Sequence, residues 1–500
     1  MSDRRGLTSR VVHGTLLHLG GQAVTMAATF IATPFTIRLL GPAGYGVLAF
    51  IHVLIGYVSV ADMGMGTAST RFGSLAHARG DDEGESAAIW SALLLAVVPA
   101  TGIALALALG ARPLVEHALR LPAYLHDPAI LCFRIAAVGF LARAVSGVFN
   151  TPAVVRLRMD LVVLVNNGTS TAQVVLVPLV VFLGGGLPGA VGVVAGAATA
   201  SALLYGIVGV RLLPQMRRPR VSRELMKQLA RFGGALVVSM IAAAVLSNVE
   251  KLLMPRFASV QALAYYSVAF TLAYMLTQLP MAMVQSLQPA FAQLHINPDR
   301  AQLEQLYRRA LHAMLFWALP GALFICTAAR PFLTLWAGPQ FGRESTLPLY
   351  LLMGGVVCEI IGLVPLNLLI AFGRTDIFAR IQVSLLVPYL IGSGVLIHFY
   401  GAPGAAIAWS VRALTSLILF AHFAARMSGF RFVPWPDNRR DYLLAVAVLV
   451  VPVAVAWLGS PIVRIGVAVA AVAVYGIIIL TRVLTSEERA ALQRMLPKSA

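Results

Sequence analysis

An all-α polytopic membrane protein is the fold class this sequence predicts, and three observations predict it. Of the 500 residues, 59% are hydrophobic and only 12% charged, with a mean hydropathy of +0.83. Soluble domains run at about half apolar and about a quarter charged. Apolar runs of about 20 residues recur along the whole chain, each long enough to cross roughly 30 Å of hydrocarbon as a helix. The runs are also too long and too evenly apolar for barrel strands, which take about 10 residues and alternate in polarity.

Reading the breaks between runs gives fourteen spans, at about 13–38, 45–70, 87–111, 128–150, 161–183, 189–213, 233–255, 262–291, 310–330, 346–372, 379–399, 403–427, 442–459 and 462–481. The charges then orient them. With the N-terminus in the cytoplasm, the inward segments hold about 26 Lys and Arg, among them Arg4, Arg5, Arg10, Arg217, Arg218, Arg220, Arg223, Arg426, Arg431, Arg439 and Arg440. The outward segments hold about 7: Arg38, Arg112, Arg120, Arg256, Arg330, Arg343 and Arg464. This is the positive-inside pattern, so both termini are expected in the cytoplasm. It accounts for most of the +18 net charge without nucleic acid as a partner.

Other features carry little chemistry. Cys132, Cys326 and Cys358 lie in apolar spans with no paired or metal-ligand spacing. The first apolar run is too long and begins too late for a typical cleaved signal peptide. The formal glycosylation sequon at Asn167 falls inside the fifth span, and Asp81, Asp82 and Glu83 read as a solvated cytoplasmic loop. No glycine-lysine phosphate loop is present, so ATP hydrolysis is not expected; no cofactor or metal is expected either.

The chain repeats itself. HLGGQAVTM (His18 to Met26) matches RFGGALVVSM (Arg231 to Met240), and eighteen residues separate Gly20 from Arg38 just as they separate Gly233 from Lys251. RLLGPAGYGVLAF (Arg38 to Phe50) then answers KLLMPRFASVQALAYYSVAF (Lys251 to Phe270). Six helices lie between the copies, so both enter the membrane in the same direction, as in transporters built from parallel repeats. The expected layout is a six-helix lobe at 1–213, a basic amphipathic linker helix at 214–232, a second six-helix lobe at 233–427, a helix pair at 428–481 and a cytoplasmic tail at 482–500.

Three motifs resemble a family: Arg38-Leu-Leu-Gly-Pro-Ala-Gly-Tyr-Gly46, Asp62-x-Gly-x-Gly66 and Arg71-Phe72. They are similar to the start of the polysaccharide and oligosaccharide flippases of the multidrug/oligosaccharidyl-lipid/polysaccharide exporter superfamily. The resemblance implies a V-shaped, two-lobed bundle around a central cavity that opens alternately to the cytoplasm and the periplasm. It implies residence in the bacterial inner membrane and a cargo of undecaprenyl-pyrophosphate-linked units of O-antigen, exopolysaccharide or capsule. Membrane lipids, and the polymerase and glycosyltransferases of the same pathway, are the implied partners.

An ionisable side chain near the bilayer midplane is costly unless it faces a cavity or a partner, so depth selects candidates. Glu359, about thirteen residues into its span, is the most central acid, and Arg412 is the deepest cation of the second lobe. Arg134 and Arg143 share the fourth span; nine residues apart, they fall on opposite faces unless Gly139 bends the helix. With Lys251 and Arg38 these arginines are the candidates for a pyrophosphate, which a guanidinium fork grips in two places. Asp62, Glu359 and Glu250 are the coupling or gating candidates, with Asp62 read as packing or gating rather than proton transfer. Sugar contacts fall to Asn150, Asn166, Gln278, Gln285 and Tyr274, and more weakly to Gln22, Asn167, Gln173, Gln288, Tyr265 and Tyr266.

Each reading has a structural counterpart. Glu359 and Arg412 can form a buried ion pair, Arg38 and Lys251 can be interfacial anchors, Arg134 can snorkel, and the amides can bond helix to helix. Within the superfamily, a lipid II flippase and a multidrug/cation antiporter compete as functions. Drug exporters of that fold carry twelve spans and acid-lined lobes, whereas fourteen spans with intramembrane Arg favour an anionic cargo. A membrane glycosyltransferase or polymerase would need a substantial outer loop, and every predicted outer loop is about sixteen residues or fewer.

Overall fold

The computed structural model describes residues 2–57, 64–296, 300–430, 432, 439–456 and 460–483; within them, side chains at 2–19, 233–245, 282, 285–286, 288–289, 292, 295–296, 439, 441, 452–453, 455–456, 461 and 482–483 are excepted. The helices are α1 Ser2–Gly56, α2 Met65–Ala78, α3 Asp82–Leu109, α4 His126–Phe149, α5 Thr151–Val155, α6 Met159–Val180, α7 Gly186–Leu212 and α8 Arg223–Phe257. Then come α9 Val260–Met275, α10 Gln278–Ile296, α11 Arg300–Trp336, α12 Pro339–Glu344, α13 Thr346–Ala371, α14 Thr375–Ser428, α15 Arg439–Ala456 and α16 Pro461–Ile478.

Two of these hold two spans apiece. α1 breaks at Gly41 (φ 68°) and α14 at Gly401 (φ 60°), in the left-handed region that only glycine enters without strain. Counted with those breaks, the fourteen predicted spans all have helical counterparts among the described residues. Helices suit the setting because every backbone group is satisfied within its own segment.

Two spans and the linker call for comment. In the second, the helix described up to Gly56 and the helix from Met65, which follows Gly64 in the left-handed conformation, flank residues 58–63, which lie outside the described residues. The eighth divides into α9 and α10, where the Thr277 hydroxyl donates to the Tyr274 carbonyl at 2.6 Å. The linker is not a separate surface helix: Pro214–Arg217 forms a 3-10 turn, residues 218–222 are non-helical, and residues 223–232 are the first turns of α8, begun by the Ser222 cap on the Leu225 amide.

The chain forms two compact units, Met1–Ala264 and Tyr265–Ala500. In the first, α8 packs on α2 and α3, with the Arg71 guanidinium 4.4 Å over the Phe232 ring. Its far end is held by the loop between α3 and α4: Arg120 donates through its amide to the Pro255 carbonyl (2.8 Å) and through Nη1 to the Phe257 carbonyl (3.2 Å). Small residues let the helices approach, as Ala100 and Ala104 of α3 do against Ala137 and Ala144 of α4. Large apolar side chains such as Leu183 and Ile462 face outward instead, as a hydrocarbon surround permits.

The repeat is visible inside each unit. A shift of 216 residues carries Met159–Leu212 onto Thr375–Ser428, both 54 residues long. Each breaks at the matching place, at Gly184–Gly186 and at Gly401. The same shift carries Gly139 onto Gly355, and both are close-approach glycines. A β-carbon at Gly139 would lie 3.0 Å from Ala195 Cα, and one at Gly355 2.7 Å from Ser410 Cα. It also carries the Ser146–Ser201 hydrogen bond (2.9 Å) onto the Gly362–Leu417 packing. Gly355→Val is therefore expected to cost about 1–3 kcal/mol by overpacking, read as a lower melting temperature of the detergent-purified protein. An unchanged melt would mean that α13 and α14 separate freely there.

Candidate functional site

In the second unit, Glu359 sits near the middle of α13 and Arg412 about one-fifth of the way from the centre of the second half of α14 toward its start. Packing at Gly355 and Gly362 brings the two helices together, and Arg412 Nη2 lies 3.5 Å from Glu359 Oε2. The arginine side chain is 10% exposed and the glutamate 31%. The pair borders a cavity of about 60 Å³ lined also by Cys358, Phe378, Gln382 and Ser416, enough for a few water molecules.

Arg412 is incompletely used by this contact. Its Nε is buried and has no hydrogen-bond partner among the described residues, as is true of Ser416 Oγ. Its guanidinium lies 5.3 Å from the Trp409 ring centre and 5.7 Å from that of Tyr389, within cation–π range. Tyr389 and Arg412 both line a second cavity of about 140 Å³, mostly apolar, with Leu385 and Val411. Trp409 meets Phe270 edge-on at 5.5 Å, and Phe270 stacks on Tyr274 at 5.4 Å. The arrangement offers spare charged donors beside aromatic faces: groups suited to an oxyanion and to the apolar face of a sugar ring.

In the first unit, α4 runs unbroken and Gly139 serves packing rather than bending. Arg134 and Arg143 therefore stay on opposed faces, and the bend that would let both line one cavity is absent. Both are exposed, and neither has an ion partner among the described residues. The 216-residue shift places Arg143 on Glu359 and Gly196 on Arg412. The same two positions hold a lone cation in one half and an ion pair in the other.

The remaining candidates scatter. Arg38 is exposed. Lys251 is half-buried and donates to Asn248 Oδ1 at 2.9 Å, while the neighbouring Glu250 is fully buried, within electrostatic reach of Tyr57. Asn150 marks the α4–α5 junction, where its carbonyl accepts from the Ala153 amide at 3.1 Å. Asn166, Gln22 and Gln278 are exposed, Tyr266 is buried, and Tyr265 packs edge-on against Phe341 at 5.0 Å. Gln173 bonds His52 between helices at 3.0 Å, and Asn167 has its amide nitrogen buried. Asp62 and the side chains of Gln285 and Gln288 lie outside the described residues.

One ionic cluster escaped sequence reasoning. Glu85, one turn into α3, is fully buried and receives both terminal nitrogens of Arg156, at 2.5 and 3.1 Å. His77 Nδ1 lies 3.5 Å from Glu85, and Asp82 lies 3.8 Å from Arg156. His77, Asp82 and Glu85 bring three ligand-type atoms within 4.8 Å of one another. The guanidinium already occupies both Glu85 oxygens, so the cluster reads as an ionic lock between α2, α3 and the end of α5. An acid at the start of an apolar run was its sequence signal; the 71-residue separation from its partner hid it. Nearby, Arg158 grips Asp160 (2.8 Å), and at the equivalent place in the second half Arg374 grips Asp376 (2.9 Å). The Arg hydrogen bonds hold both carboxyls below the usual aspartate range.

These helices and membrane-buried charges define a multi-pass transporter fold. A multidrug-resistance transporter of the MATE family, in an inward-facing conformation, superposes with a TM-score of 0.68 at 14% identity, over 82% of this chain and 98% of its own. The lipid II flippase MurJ, inward closed, superposes with a TM-score of 0.69 at 10% identity, over 94% and 98%. Those likenesses establish the fold alone. Residues 11–295 match the polysaccharide biosynthesis protein family, and the chain belongs to that family. A candidate O-antigen transporter of Shigella flexneri is 22% identical over 417 residues, 83% of this chain and 98% of that protein.

Proposed function

We propose that this protein is an alternating-access flippase that carries undecaprenyl-pyrophosphate-linked oligosaccharide across the bacterial inner membrane. The units serve O-antigen, exopolysaccharide or capsule synthesis, and the protein moves them without catalysing a reaction. The observation that carries the reading is the charge at the paired positions: Arg143 opposite Gly196 in one half, Glu359 with Arg412 in the other. Within the second half, Arg412 keeps a buried Nε without a hydrogen-bond partner among the described residues, and in the first half Arg143 has no ion partner among them. A pyrophosphate needs such donors within a hydrated cavity, while the prenyl tail stays in lipid. A cation-exporting drug transporter would want acids at these places instead.

In this reading the lobes are 1–213 and 233–427, the pair 428–481 is an addition to the duplicated core, and both termini face the cytoplasm. Arg412 binds the pyrophosphate, Tyr389, Trp409 and Tyr274 offer faces to the sugars, and Arg143 is the corresponding cation of the first half. Glu359 holds Arg412 in place between cargo molecules. The proteins that assemble and polymerise the saccharide are the expected partners.

The test is deletion of the gene. Lipid-linked repeat units are expected to accumulate on the cytoplasmic leaflet while surface polysaccharide falls. Unchanged surface polysaccharide with raised drug sensitivity would sink the reading in favour of multidrug export. Accumulation of peptidoglycan precursor would replace the cargo by lipid II.

A further inference from the structure

At the end of the first unit where α3 begins and α7 ends, a pocket of about 320 Å³ is lined by Glu83, Ser86, Gln215, Arg217, Arg218 and Arg220. Its volume lies at the lower end of the range for small-ligand sites, about 300–1,000 Å³. The turn Pro214–Arg217 that presents the arginines is anchored by Trp90, whose indole N–H donates to the Met216 carbonyl at 3.2 Å. Trp90 is half-buried, and tryptophan is enriched at membrane interfaces.

Charge and hydrogen bonding describe the missing ligand. Arg220 pairs with Glu83, whereas Arg217 and Arg218 have no ion partner among the described residues. Three cations against one acid leave a surplus of positive charge. In the pocket wall, Ser86 Oγ and Gln215 Oε1 are buried without a hydrogen-bond partner among the described residues, and Ser86 is 1% exposed. The Gln215 amide nitrogen donates to Asp82 Oδ2 at 3.2 Å, which fixes its oxygen as an acceptor. The site therefore asks for an anion that also carries a donor. A serine hydroxyl and two free guanidinium groups suit a phosphate, and the glutamine oxygen suits a hydroxyl beside it.

We propose that this pocket binds the phosphodiester headgroup of an anionic, hydroxyl-bearing phospholipid from the leaflet it faces. The assignment rests on the orientation given under the proposed function, which sets the pocket in the cytoplasmic leaflet, where anionic lipids attract juxtamembrane arginines. Glu83 is the one lining group that opposes the phosphate, and Arg220 neutralises it.

The full chain, purified in detergent and mixed with equal amounts of phosphatidylglycerol and phosphatidylcholine of matched acyl chains, is examined by native mass spectrometry. Phosphatidylglycerol is expected to be retained preferentially. Arg217→Gln with Arg218→Gln is expected to cut that retention more than about tenfold, because both direct guanidinium–phosphate contacts are lost. Ser86→Ala, which removes one oxygen and leaves the fold intact, is expected to cut it severalfold. Arg223→Gln with Lys227→Gln, two basic residues of the same stretch outside the lining, is expected to stay within about twofold, since neither touches the headgroup and exposed charges are screened by salt. Equal losses in both double variants would mean diffuse attraction and overturn the pocket. Equal retention of the two lipids, or release of phosphatidylglycerol by millimolar inorganic phosphate, overturns it too. The assay reads bound lipid and not transport, so failure of the saccharide reading would leave this result interpretable.

Discussion

Arg412→Ala is expected to lower saccharide export more than about tenfold while the protein stays in the membrane, because a charge-assisted hydrogen bond to an anion is worth about 1.5–3 kcal/mol. The measurement is surface polysaccharide per unit of membrane-inserted protein, with lipid-linked intermediate scored beside it. Arg412→Lys should recover only part, since an ammonium keeps the charge and loses the fork. The decisive variant is Arg412→Met combined with Glu359→Gln. If Arg412 only neutralises Glu359 (the two lie 3.5 Å apart), removing both charges restores export. If it grips the cargo, the double variant fails like Arg412→Ala.

The first half offers a matching test. Arg143→Ala should impair export comparably, and Arg143→Glu with Gly196→Arg should abolish it. That double change writes the second half's ion pair into the first, and a side chain at Gly196 has room, with nothing within 4 Å of its β-carbon. Normal export in this variant would reduce Arg143 to a structural role.

The second large effect is on stability. Arg156→Ala leaves Glu85, fully buried, without its bidentate partner, and an uncompensated buried charge costs about 3–5 kcal/mol. At about 2–4 °C per kcal/mol for a unit of this size, the melting temperature should fall by roughly 10 °C. Pairing Arg156→Met with Glu85→Gln should recover more than half of that loss, because the desolvated charge is gone. Intrinsic-fluorescence melts in detergent read both variants. A shift under 2 °C for Arg156→Ala would show that another group holds the carboxylate.

Residue by residue, the sequence was most informative where a single helix answers to the bilayer. Glu359 and Arg412 stand out as the deepest charges of their spans from position alone, and they meet. The duplication is visible in the spacing from Gly20 to Arg38, and it recurs in the matched breaks of Met159–Leu212 and Thr375–Ser428. Gly139 was the weak point: a glycine between two arginines suggests a hinge, yet it is the seat for Ala195. A hinge glycine and a packing glycine have the same sequence, and only the neighbouring helix distinguishes them.

The sequence by itself determined the class, the span count, the repeat and the charge asymmetry. These follow from the thickness of hydrocarbon and from backbone hydrogen bonds that must close within each helix, both local requirements. Tertiary structure alone decided that Glu85 locks to Arg156, that Arg143 and Arg134 cannot share a face, and that the linker arginines enclose a pocket with Ser86 and Gln215. Those outcomes depend on which helix faces which. In a membrane that choice is made by close packing of small residues and by scattered polar contacts, which leave no periodic trace in the chain.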